Sequence, residues 1–160
     1  MDWTLIKTHA NDEWEILYAQ VPPKLRRLHT DGFRIVVFTN QGGVASGKRS
    51  ITQLKTLLSE LQVRLGIPMT FLAATGFAGD LHRKPNPYMW DVFCERLNGG
   101  IAIDNDVSFY CGDAAGRGAS DTRMADWNAN DIRFARNIGL NFATPESLFL
   151  GELLEVPALS

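Results

Sequence analysis

Residues 33–39, Phe-Arg-Ile-Val-Val-Phe-Thr, form an almost unbroken apolar run rich in β-branched side chains, and Asn40-Gln41-Gly42-Gly43 closes it. Such a run does not alternate between apolar and polar, so it suits a strand buried on both faces. That setting is a mostly parallel sheet covered by helices, and the rest of the chain alternates strand and helix signals as this architecture requires. Ser50 and Gln53 have capping-box spacing, which predicts a helix from Ile51 with Leu54, Leu57, Leu58, Leu61 and Leu65 sharing its inner face with Ile51. Residues 69–75 read as the next strand. Asn86 is expected to cap a helix with Pro87 in its first position and Met89, Trp90, Phe93 and Leu97 inward. Residues 107–111 form a further strand ending at Gly112-Asp113. A helix is expected over 130–137, stopped by Gly139, then a short last strand at 141–143 and a terminal helix opened by Thr144-Pro145.

The expectation is therefore an α/β, three-layer domain spanning 1–160, a length sufficient for one buried core. Apolar residues at 45% with 21% charged fit a globular protein. A net charge of −2 implies no broad electrostatic grip on nucleic acid or an anionic membrane, so any such contact is local. Cys94 and Cys111 sit in apolar stretches and read as buried thiols of a reducing compartment. With no signal peptide or membrane span recognisable, the protein is expected to be intracellular, off the membrane and monomeric.

In sheets of this type ligands gather at the carboxyl ends of the strands. Thr39 and Asp113 fall there, as does Asp2 if Met1–Trp3 closes a strand. Asp113 and Asp131 are hard oxygen donors that, with a phosphate oxygen and waters, suit the octahedral shell of Mg²⁺. Lys84 offers a compact ammonium before Pro85, able to hold a phosphate or a carboxylate. Thr39 and the Asn40 amide can donate to a transferring phosphoryl group. Asp2 suits a general acid and base, protonating a leaving alkoxide and activating water. Each residue also has a plainer reading: Asp131 as a helix-start acid, Lys84 as a solvated cation, Thr39 as a strand cap. One decoy is present. Gly42 to Arg49 nearly matches a P-loop, but Arg49 stands where the motif needs the Mg²⁺-binding Ser or Thr.

Together these residues resemble the haloacid dehalogenase superfamily of phosphatases, whose first motif is D-x-D-x-T. The chain is more narrowly similar to the polynucleotide kinase 3′-phosphatase family. The matching stretches include Asp-Trp-Thr-Leu-Ile at 2–6, Gly-Phe-Arg-Ile-Val-Val-Phe-Thr-Asn-Gln-Gly-Gly at 32–43, Arg-Lys-Pro-Asn-Pro at 83–87, Gly-Asp-Ala-Ala-Gly-Arg at 112–117 and Phe-Ala-Thr-Pro-Glu at 142–146. The resemblance implies a haloacid-dehalogenase-like Rossmannoid fold and Mg²⁺-dependent removal of 3′-phosphates from DNA ends in repair, in the nucleus of a eukaryotic cell. It implies Asp2 as acid/base and, through its backbone carbonyl, as a metal contact with Asp113 and Asp131. It puts Thr39, Asn40 and Lys84 on the phosphoryl group, and Gln41, Lys48, Arg49 and Arg83 on the substrate strand.

Three departures accompany the resemblance. The family's nucleophilic Asp, two residues before Asp2, and the first, central strand carrying it would precede Met1, so Met1 is expected to be an internal methionine. The flap segment is short, Lys7 to Glu13, and Ser46 stands where the mammalian-type pattern has an arginine. Without the first strand, those ending at Thr39 and Cys111 lack a ladder partner, so the chain as written is expected to fold poorly or be insoluble. Two further readings are a small-molecule phosphatase of the same superfamily and a non-catalytic module binding DNA ends or a partner.

Overall fold

The computed structural model describes residues 1–9 and 13–158. The chain opens with an antiparallel hairpin, β1 (Ile6–Thr8) and β2 (Trp14–Ile16), paired from Ile6↔Ile16 to Thr8↔Trp14. The short flap expected over Lys7 to Glu13 falls in this hairpin, and its residues 10–12 lie outside the described ones. Helix α1 (Val21–Thr30) follows, with Pro22 and Pro23 in its first turn, where missing amide hydrogens cost nothing.

The apolar run becomes β3 (Ile35–Asn40), and a one-turn helix α2 (Gly42–Ala45) leads to α3 (Ile51–Leu65). The capping box is formed: the Ser50 hydroxyl accepts from the Gln53 amide at 3.1 Å, and the Gln53 side chain accepts from the Ser50 amide at 2.7 Å. Gly66, at φ 70°, ends the helix in the left-handed conformation that glycine adopts without a Cβ clash. Leu54, Leu57, Leu61 and Leu65 are buried, whereas Ile51, at the first helical position, is exposed.

Strand β4 (Met69–Ala74) pairs in parallel with β3, from Ile35↔Met69 to Asn40↔Ala74. Helix α4 (Tyr88–Val92) winds on as a π-helical turn over Phe93–Leu97. Pro87, rather than Asn86, holds the cap position, and no side chain caps it. The π-turn shifts the angular spacing, which is why Phe93 is buried while Leu97 is exposed. Strand β5 is confined to Phe109–Cys111, with Val107 exposed. Helix α5 (Asn130–Asn137), closed by Gly139 at φ 72°, leads to β6 (Asn141–Ala143), which pairs in parallel with β5. The last helical turn, Glu146–Leu150, is π-helical; ahead of it the Thr144 and Ser147 amides each donate to the other residue's hydroxyl.

The layering follows from the pleat. Val37 and Phe38 are consecutive, so their side chains leave β3 on opposite faces. Val37 joins a core with Val21 and Leu25 of α1 and Leu57, Leu61 and Leu65 of α3. Phe38 joins the other core, with Met89, Phe93, Tyr110, Phe134 and Ile138. Its ring lies 5.5 Å from that of Phe134 and 6.1 Å from that of Phe93. Truncating so buried an aromatic costs about 3–5 kcal/mol.

Among the described residues the expected mostly parallel sheet is divided into three two-stranded pieces, one antiparallel and two parallel. Met1–Trp3 forms no strand; Asp2 makes only an isolated bridge to Ile6. Between β3 and β5 lies an apolar cavity of about 460 Å³ whose lining includes Met1, Leu5, Ile35, Val37, Phe109 and Cys111. Cys94 and Cys111 are unpaired and partly rather than fully buried, and burial pushes the Cys111 thiol up to about 12. No helix among the described residues is long and apolar enough to cross a membrane.

Candidate active site

The site residues come from the N-terminal turn, from the end of β3, from the loops after β4 and β5, and from the first turn of α5. The Met1 carbonyl accepts from the amides of Thr4 at 3.2 Å and Leu5 at 2.9 Å, folding residues 1–6 into a tight turn. This turn aims two side chains. The Asp2 carboxylate accepts from Gln41 Nε2 at 2.9 Å, and the Thr4 hydroxyl donates to Asp113 Oδ1 at 2.9 Å. Thr39, 2% exposed at the end of β3, accepts from the same Gln41 nitrogen at 2.9 Å and keeps its own hydroxyl proton. Arg49 donates to Gln41 Oε1 at 3.1 Å, so this glutamine links the loop after β3 to Asp2.

Lys84 enters from the loop after β4. Asn40 clamps that loop: its side chain donates to the Lys84 carbonyl at 3.0 Å and accepts from the Lys84 amide at 2.9 Å. The Lys84–Pro85 peptide is cis. The Lys84 ammonium, itself buried, donates to Asp131 Oδ1 at 2.7 Å and to the Tyr110 hydroxyl at 2.8 Å. Tyr110 donates in turn to Asp131 Oδ1 at 3.0 Å, while the Ala114 amide donates to Oδ2 at 3.0 Å. Both Asp131 oxygens therefore carry protein hydrogen bonds. The carboxylate lies against Gly112, where a β-carbon would overlap it.

Burial alone would raise the Asp131 carboxyl, but the Lys84 charge and these hydrogen bonds override it and hold it below its ordinary value. Asp113 goes the other way, because burial and the Asp131 charge both raise it. Burial first and then the Asp131 charge push the Tyr110 hydroxyl well above its usual range. The Met1 amino group is buried among these residues, and the charges of Lys84, Asp2, Asp131 and Asp113 all act on it.

The remaining expected residues differ in their placement. Arg83 donates to the Gly76 carbonyl at 2.9 Å and packs over Gly42. Lys48 is exposed, and no hydrogen bond or ion pair joins it to this web. Among the described residues, no three His, Cys, Asp or Glu side chains are grouped to hold a metal, so Asp2, Asp113 and Asp131 form no ready-made carboxylate triad.

Reading the sequence passes over three contributors. Thr4 and Tyr110 act across more than twenty residues of separation. Arg117, the last residue of Gly-Asp-Ala-Ala-Gly-Arg, braces the loop after Asp113. Its guanidinium donates to Asp126 at 2.8 and 3.0 Å, to Glu146 at 3.0 Å and to the Asp113 carbonyl at 3.3 Å. The motif itself is the signal that singles out this arginine.

The parallel strand pairs, with helices packed on both faces of β3, form a haloacid-dehalogenase-like α/β fold. The same fold is seen in the D,D-heptose 1.7-bisphosphate phosphatase of B. bronchiseptica, solved with magnesium and phosphate, at a TM-score of 0.65 and 18% identity over 88% of this chain and 74% of that one. The family model for polynucleotide kinase 3 phosphatase matches residues 1–149, and the chain belongs to that family. It is 35% identical over 159 residues to the polynucleotide 3′-phosphatase ZDP of Arabidopsis thaliana, covering 92% of this chain and 22% of that protein. It is 37% identical over 153 residues to a 20.8 kDa protein of Autographa californica nuclear polyhedrosis virus, covering 91% and 80% respectively. The chain thus spans about a fifth of the plant relative's length.

Proposed function

We propose that this chain, acting as a monomer and one domain over 1–160, is a Mg²⁺-dependent polynucleotide 3′-phosphatase that clears 3′-phosphates from DNA strand breaks, intracellularly and in the nucleus of a eukaryotic host. The observation that carries the reading is the hydrogen-bonded web in which Lys84 pairs with Asp131, Thr4 holds Asp113 and Gln41 holds both Asp2 and Thr39. Family membership selects the substrate class.

A 3′-phosphate enters with its oxygens towards the Lys84 ammonium, the Thr39 hydroxyl and the Asn40 amide, donors suited to charge that grows as the phosphorus–oxygen bond breaks. Asp131 and Tyr110 hold the ammonium, and the Asn40 side chain holds the loop beneath it. Asp2 protonates the leaving 3′-oxygen and later takes a proton from water, with Gln41 steering its carboxylate. Gln41 and Arg49 approach from the loop after β3, where Lys48 and Arg83 flank the incoming strand.

The donor set suits Mg²⁺, which binds through one or two carboxylates and completes its shell with waters and phosphate oxygens. Asp113 would be the direct carboxylate, since its charge is buried beside that of Asp131 and a cation would relieve both. The Asp2 carbonyl would supply a second oxygen, and Asp131, whose two oxygens already carry protein hydrogen bonds, would support the site indirectly. When bound, the ion neutralises phosphate charge.

In the family pattern a carboxylate two residues before the position of Asp2 accepts the phosphoryl group. The test therefore uses the chain extended by an Asp-bearing apolar strand, in Mg²⁺ and in chelator. Phosphate release from a 3′-phosphorylated oligonucleotide far above that from sugar phosphates supports the reading. Equal release from both favours a small-molecule phosphatase, and no Mg²⁺-dependent release favours a binding module.

A further inference from the structure

Trp3 follows Asp2 directly, and it is the only non-glycine among the described residues with a left-handed backbone, at φ 55°. A bulky side chain is an outlier there, whereas glycine adopts this conformation without steric cost. Strain of this kind persists where the surroundings over-determine it, and it gathers at ligand sites. The surroundings here are the turn on the Met1 carbonyl, the Trp3 amide donating to the Ile6 carbonyl at 2.6 Å, and Thr4 tied to Asp113. The consequence is positional. Thr4, Leu5 and Ile6 turn inward and are at most 7% exposed, while the Trp3 indole turns outward and is 50% exposed. Lys7 Nζ stands 5.9 Å from the ring centroid, a cation–π contact that limits how the indole can swing.

We propose that Trp3 is the stacking platform for the terminal nucleobase of the strand whose 3′-phosphate occupies the site; this inference rests on the function proposed above. A phosphate held beside Asp2 brings its own nucleoside to the residue next to Asp2, and that residue presents a half-exposed aromatic face. Stacking on an aromatic ring tolerates any base, as a processor of arbitrary strand ends needs. The Lys7 ammonium beside the ring serves the next backbone phosphate.

The test is equilibrium binding in Mg²⁺ of a 3′-phosphorylated single strand and of the same strand with an abasic 3′-terminal residue. The proteins compared are the wild type, Trp3→Phe, Trp3→Ala and Trp3→Gly. Loss of one base–aromatic stack is expected to weaken binding of the base-bearing end about tenfold in the Ala and Gly variants. The Phe variant keeps most of the affinity, and all four proteins bind the abasic end alike. Ala and Gly both remove the indole and its Lys7 contact, but only Ala keeps a β-carbon in the left-handed region. Trp3→Gly should therefore melt about 2–4 °C above Trp3→Ala, and it carries the binding test if the Ala variant does not fold. Unchanged binding of the base-bearing end by the Ala and Gly variants overturns the inference, as does an equal loss on the abasic end. A wild-type protein that binds 3′-phosphate and 3′-hydroxyl ends equally overturns the phosphatase reading, and the stacking inference with it.

Discussion

Lys84 Nζ and Asp131 Oδ1 lie 2.7 Å apart with their side chains 7% and 6% exposed, an ion pair closed off from solvent beneath the proposed phosphate site. Removing one partner of such a pair strands a buried charge and costs about 3–5 kcal/mol. Asp131→Asn should therefore destabilise the protein by that amount at pH 7, measured by chemical denaturation. The Asp131 carboxyl is held below its ordinary value in the fold, so its contribution is present above the unfolded value of about 3.9 and is lost as pH falls through the lower folded value. The gap between wild type and Asp131→Asn should accordingly be constant near neutrality and close below about pH 4. A gap that widens in acid would contradict the pairing.

Arg117 binds Asp126 and Glu146 in a nearly closed environment, its side chain 11% exposed against 6% and 20%. Arg117→Ala leaves Asp126 with Arg123 as its remaining cationic partner and should cost about 1–3 kcal/mol. Arg117→Lys should restore little, because a single ammonium cannot span both carboxylates and the Asp113 carbonyl. A lysine variant as stable as wild type would show that charge alone matters there.

Asp113 is raised by burial and by the neighbouring Asp131 charge. Mg²⁺ should relieve that repulsion, raising the melting temperature of the wild type in millimolar Mg²⁺. Asp113→Asn should lose this response, and excess Mg²⁺ should recover it only in part. A variant that keeps the full shift would remove Asp113 from the metal site.

The acid and base role proposed for Asp2 predicts that, in the extended chain, Asp2→Asn abolishes phosphate release while the Mg²⁺-induced melting shift persists. Near-normal turnover would assign the proton transfers elsewhere.

Strand β3 pairs with β4 and β5 with β6, and among the described residues neither has a second neighbour. The backbone edges facing the cavity between them leave ladder bonds unmade. Each buried group left without a partner costs roughly 1–3 kcal/mol against a total stability of ~5–15 kcal/mol. The chain should therefore melt low and broadly, and an apolar strand added ahead of Met1 should sharpen the transition and raise its midpoint. A sharp melt unaffected by that extension would contradict this.

Helix α3 was legible in the sequence because its cap and period agree, and β3 because its apolar run is too continuous for anything half-exposed. The β1–β2 hairpin was not: its strands have three residues each, too few for the alternation of Trp14-Glu15-Ile16 to mark a strand. Helix α1 is masked by Pro22 and Pro23, which punctuate a sequence unless they fall in a first turn, as they do here. Leu97 was assigned inward on a 3.6-residue period that the π-helical turn breaks. In the site, Thr39 and Asp113 were readable as strand-end polar residues. The Thr4–Asp113 bond spans 109 residues, and Arg117 meets Glu146 across 29, separations that no local pattern encodes.

The central claim is that Asp2, Lys84, Asp113 and Asp131 jointly receive a terminal phosphate. Equilibrium binding of one oligonucleotide, ending in a 3′-phosphate or a 3′-hydroxyl, with Mg²⁺ or with chelator, tests it most directly. The account predicts at least about tenfold tighter binding of the phosphorylated end, seen only with Mg²⁺ and lost in Lys84→Ala. Equal affinity for the two ends in Mg²⁺ would contradict it.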